Sequence, residues 1–253
     1  MSPEPPVIDD FYIGYESTMP PRMARRVRGA ALVLLLAAAA IPLLLLAVQG
    51  RFASGRFEFG TTRTIEGRLV EFPYPALDVS AAGAAPAFYW LVGPGKHGAA
   101  ALVRGLDGRA VRVRGTLIER DGDAMLQIED HSVETTRAAE TPTPFVPVRI
   151  RTVTVSGELV DSKCHLGVMK PGDGPLHRDC AVRCLLGAVP PMVVVRGGSG
   201  TPRRLAFVDE RGRPFFSDFS SLAGRPIAIR GTLLRQGARL FLSASAADIE
   251  LLR

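Results

Sequence analysis

The sequence predicts an all-β protein, with two small β-barrels in tandem behind one N-terminal membrane-spanning helix. Three observations lead to this. An uncharged apolar run stands near the N-terminus, strand-like segments closed by glycine turns occur twice, and a cysteine-bearing stretch interrupts the second copy alone.

The apolar run is GAALVLLLAAAAIPLLLLAVQG, Gly29–Gly50, 22 residues without a charge. As a helix it would be about 33 Å long, slightly more than a hydrocarbon core. Pro42 would break a soluble helix but is tolerated within a membrane span. Arg22, Arg25, Arg26 and Arg28 crowd one flank, against Arg51 and Arg56 on the other. The positive-inside rule then predicts a cytoplasmic tail over 1–28, a span over 29–50 and everything beyond it outside the cytoplasm. The run exceeds a signal-peptide core in length, so an uncleaved anchor is expected. In the tail, Phe11, Tyr12, Ile13 and Tyr15 suit either the headgroup level or a partner subunit.

The net charge is +6. Its arginines are spread through strand-like segments, as in Arg109, Arg112 and Arg114, rather than gathered in a basic block. Nucleic acid is therefore not an expected partner.

GRAVRVRGTL (Gly108–Leu117) returns as GRPIAIRGTL (Gly224–Leu233), 116 residues on. Upstream, GRLV (Gly67–Val70) resembles GELV (Gly157–Val160), 90 residues on. Alternating residues between glycine turns read as strands. Each RGTL precedes a hairpin turn, at Asp121-Gly122-Asp123 and at Gln236-Gly237. Two β modules follow, over 62–137 and 151–253, with an extended linker over 138–150. The two offsets differ by 26 residues, and these fall mainly in 161–191, the stretch that holds all three cysteines.

The order of a G-x-L-V strand, a middle hairpin, a GR-x-V-x-V-x-G strand and a last strand resembles OB-fold barrels. Such barrels occur outside the bacterial cytoplasm, some on an N-terminal anchor, as in the haem chaperone of cytochrome c maturation. That resemblance implies a bacterial inner-membrane protein with periplasmic barrels. No counterpart of the chaperone's haem-attaching histidine segment is present, and a barrel of this type hosts many functions.

The insertion reads DSKCHLGVMKPGDGPLHRDCAVRCLLGAVPP. After a Pro-Gly turn, LHRDCAVRCLLGA suits a short helix ended by Gly187 and Pro190-Pro191. His177, Cys180 and Cys184 then share one helical face, and Cys164 can fold back towards it. Three thiolates and an imidazole suit tetrahedral zinc. They equally suit Cu(I), with Met169 as a further soft donor. The expected metal ligands are thus Cys164, His177, Cys180 and Cys184, with copper or zinc as the cofactor. The other reading is a disulfide from Cys164 to Cys180 or Cys184, bracing the insertion and leaving one thiol over. A redox-active thiol set is the third, although no C-x-x-C is present.

The Cys180-x-x-x-Cys184 spacing with a nearby histidine is similar to the copper site of Sco-type assembly factors of cytochrome oxidase, which implies copper. The stretch also resembles a group of bacterial membrane-anchored extracytoplasmic domains that share D-S-x-C, C-x-x-x-C and a valine-rich strand. Here these are Asp161–Cys164, Cys180–Cys184 and Met192–Val195. That group carries no assigned reaction.

His97, in GPGKHG, and His131 read as solvated histidines, and Phe88-Tyr89-Trp90 as a strand facing the core. Nucleophile-elbow, phosphate-loop, H-E-x-x-H and haem-attachment motifs are missing, which disfavours a hydrolase, kinase or haem protein. The expectation is a membrane-anchored periplasmic accessory protein or small subunit of a redox system, with a protein partner in a membrane or periplasmic complex. A non-catalytic interaction module with a disulfide-braced insertion is the alternative.

Overall fold

The computed structural model describes residues 17–51, 55–79, 88–136, 146–195, 203–215 and 221–252. Phe11, Tyr12, Ile13 and Tyr15 of the tail lie outside the described residues, as does most of the expected linker. The chain divides into two compact units, 1–52 and 53–253.

In the first unit, helix α1 runs Pro21–Arg51 with Pro42 inside it. It starts ahead of the apolar run because Pro21 presets the first helical φ, and the arginines that follow are good helix formers. α1 is long and apolar enough to cross a membrane.

The second unit holds two closed five-stranded barrels. The first is built from β2 (Arg63–Val70), β3 (Ala76–Asp78), β4 (Phe88–Val92), β5 (Ala110–Arg120) and β6 (Asp123–Thr135). The two-residue strand β1 (Arg56–Phe57) pairs onto β5. Antiparallel pairing runs from β5 through β2 and β3 to β4, and β4 then meets β6 in parallel. The β5–β6 hairpin closes the barrel.

The second barrel repeats this plan with β7 (Val148–Asp161), β8 (Pro191–Val195), β9 (Arg203–Val208), β10 (Pro226–Gln236) and β11 (Arg239–Ser243). Its parallel pair is β9–β11, and a last strand β12 (Ile249–Leu251) pairs onto β10. This is the OB-like strand order in both copies. Val148–Ile150, expected as linker, already belong to β7.

The repeated RGT glycine has a local cause. A Cβ on Gly115 would fall 2.4 Å from the Gln127 carbonyl oxygen, and one on Gly231 2.6 Å from that of Ser243. The long strand passes so close to its hairpin partner there that only glycine fits. The first hairpin turns through Asp121 and Gly122, both at positive φ, as a two-residue turn of this kind requires.

Each barrel has its own apolar core, and a third core lies between them. It joins Tyr74, Trp90, Ile118 and Met125 of the first barrel to Val160, Met192, Val208 and Phe241 of the second. Trp90 meets Phe88 at 5.2 Å and Phe241 at 6.0 Å, both edge-on. The Tyr74 hydroxyl donates across the seam to the Phe207 carbonyl, and the Phe215 amide donates to that hydroxyl. Arg204, on β9, is buried and donates to Asp121 and to Asp123 in the first barrel's hairpin turn. Those two aspartates read as turn residues in the sequence, and they also clasp the second barrel.

Candidate metal centre

The strand-one to strand-two connection is short in the first barrel, from Glu71 to Pro75. In the second it runs from Ser162 to Pro190 and carries the site. It folds as a π-helical turn (Cys164–Val168), a 3-10 turn (Pro175–His177) and helix α2 (Arg178–Leu186), which ends at Gly187. The expected short helix is present, and His177 stands at its N-cap.

The D-S-K-C segment places each of its charged groups. Asp161 is fully buried, and its Oδ1 accepts the Cys164 amide at 2.8 Å, the spacing by which a short acid caps a turn. Its Oδ2 accepts from His177 Nε2 at 2.9 Å. Lys163 is buried as well, and its Nζ donates to the carbonyls of Gly93 (2.8 Å) and Gly95 (2.6 Å) in the first barrel. Burial pushes the Lys163 ammonium pKa down, while the nearby Cys184 and Cys164 sulfurs pull it back up.

The Sγ atoms of Cys164, Cys180 and Cys184 lie within 4.8 Å of one another. Asp161, Cys164 and His177 form a second group at the same spacing, so Cys164 is the vertex the two groups share. The structure therefore brings three of the four expected ligands together and sets His177 on the Asp161 side of Cys164. Met169 has its side chain partly exposed. His165 turns elsewhere: its Nε2 accepts from Arg204 at 3.2 Å, and its Nδ1 lies 3.6 Å from Asp173.

All three cysteines are free thiols. The hydrogen bond between Cys164 and Cys184 splits their acidities. It raises the Cys164 pKa, with burial adding to the effect. The same bond lowers that of Cys184, against the effect of burial and with help from Lys96. Cys164 and Cys184 are buried in the seam core, and Cys180 is half-buried at its edge.

The residue that sequence reasoning missed is Lys96. Its Nζ lies 2.8 Å from Cys180 Sγ and 3.9 Å from Cys184 Sγ. The hydrogen bond to Cys180 holds its ammonium pKa above the ordinary value. Lys96 belongs to the GPGKHG loop after β4, in the first barrel, so no spacing within the insertion points to it. The centre thus sits between the barrels rather than within the second alone.

Two glycines make the approach possible. The Gly98 amide donates to the Gly187 carbonyl at 2.8 Å. A Cβ on Gly187 would fall 1.9 Å from the Lys96 carbonyl oxygen, although its φ of −80° suits any residue. Gly187→Ala is therefore expected to push the loop off the helix and destabilise the fold by about 1–3 kcal/mol. Urea unfolding checks this, and an unchanged midpoint would show that the loop yields freely.

Chemically, the cluster offers three soft donors within a protein seam, with a cation at the mouth. A four-coordinate thiolate metal with bonds near 2.3 Å spaces its sulfurs about 3.8 Å apart, a contraction of up to roughly 1 Å from the spacing here. The group can hold a metal ion. No family model, no curated protein and no solved structure matches the chain.

Proposed function

We propose that the protein is a membrane-anchored, extracytoplasmic accessory protein that binds zinc or copper on Cys164, Cys180 and Cys184. In this reading α1 anchors it in a bacterial inner membrane with the N-terminus in the cytoplasm. The barrels stand in the periplasm beside a redox system that they serve, with a protein partner in that complex. The observation that carries the reading is the convergence of the three sulfurs, since they come from two separate elements and only folding brings them together. Thiolates select zinc and Cu(I) over harder ions. Asp161 supports the site by holding the turn that aims Cys164, with its second oxygen held by His177.

Metal and intact-mass analysis of the full chain in detergent, prepared under reducing and then under oxidising conditions, is the test. One zinc or copper per chain is expected, falling to a small fraction in Cys180→Ala. The second reading, a disulfide-braced interaction module, is favoured by the nearness of the Cys164 and Cys184 sulfurs, within 4.8 Å of each other. It predicts a metal-free chain whose intact mass is two hydrogens short, and that result would displace the metal reading.

A further inference from the structure

We infer that the metal takes its fourth ligand from outside the chain, a small anion seated between the ion and the Lys96 ammonium. This rests on the metal reading above, with a divalent ion. A closed structural zinc site supplies four protein ligands, whereas a reactive or exchanging site supplies three and leaves one place for water or substrate.

Among the described residues, the candidates for the fourth place are already committed. His177 is not grouped with Cys180 and Cys184; its ring is held on Asp161, beyond Cys164. Asp161 carries that imidazole and the Cys164 amide at once. To reach the ion, Asp161 would have to abandon both donors and leave them buried without a partner, which is unfavourable. Lys163 is latched onto two carbonyls.

The approach is from one side. Cys164 and Cys184 are buried, and Cys180 is the half-exposed vertex with Lys96 Nζ against it. The charges point the same way. Three thiolates and a divalent ion leave one negative charge. The buried Asp161 carboxylate adds a second, the ammoniums of Lys96 and Lys163 balance the two, and Lys96, at the exposed vertex, is the cation that an entering anion meets. Lys96 has protons to spare for such a ligand, since an ammonium carries three donors.

The experiment uses the reduced full chain in detergent, loaded with Co(II) as a spectroscopic stand-in for zinc and titrated with azide or with imidazole. Azide is expected to shift the cobalt d–d bands saturably. Lys96→Met should weaken azide about tenfold, the scale of one charge-assisted hydrogen bond, and leave neutral imidazole within about twofold. The sulfur-to-cobalt charge-transfer intensity should stay the same in the variant, showing that three thiolates remain bound. Normal cobalt loading with no azide response would overturn the inference, because a ligand from the chain would then fill the fourth place. Equal azide affinity in wild type and Lys96→Met would overturn the role of the lysine. Failure to bind cobalt at all would instead remove the metal reading, and this inference with it.

Discussion

Cys164→Ser is expected to weaken metal binding about a thousandfold. Structural zinc sites in small domains bind with roughly 10–16 kcal/mol at neutral pH. Losing one of three thiolates forfeits roughly a third of that, because a serine hydroxyl does not ionise at neutral pH and is a hard donor. The substitution is close to isosteric, and the Cys164 amide keeps its bond to Asp161 Oδ1, so the turn survives. Competition against a chelator of known affinity measures the loss, and circular dichroism checks the fold. An affinity within tenfold of wild type would exclude Cys164 as a ligand.

Trp90→Ala carries the largest effect on stability, about 3–5 kcal/mol, the range for removing a large aromatic from a core. The indole is buried between the barrels, edge-on to Phe88 and to Phe241, with Tyr74 at 6.5 Å. The Arg239 guanidinium lies 5.9 Å from the Trp90 ring and 5.6 Å from that of Phe241. Burial pushes its pKa down to about 10, so it depends on those ring faces for a favourable surrounding. Losing the indole leaves a cavity and strips one face from the cation. Because Cys164, Leu166 and Cys184 share this core, metal affinity should fall together with stability. A urea midpoint within about 1 kcal/mol of wild type would mean that the barrels hold together without the aromatic seam.

Several features were readable before folding was considered. The apolar run needs only length and hydropathy, because a helix with no polar face has few other solvents than lipid. The two RGTL strands announced the duplication, and a glycine at the same point in each marks the same close passage of backbone. The short helix was legible from its residues and its glycine stop. Its first turn, Pro175–His177, is wound as a 3-10 helix before α2 begins at Arg178. A 3.6-residue period places that histidine with the cysteines, and folding adds a carboxylate 16 residues earlier as its partner, which no local period predicts.

Strand alternation, turn glycines and the uncharged run depend on neighbours a few positions apart, so the chain itself carried the all-β class, the duplicate barrels, the apolar helix and the place of the insertion. The seam is of another kind. Lys96 reaches Cys180 across 84 positions, Lys163 reaches Gly93 across 70, and Arg204 reaches Asp121 across 83. Each bond joins the two barrels, and local periodicity holds no information about a docking between separate closed sheets. That docking turned a cysteine cluster of one module into a centre enclosed by both, with a lysine at its mouth.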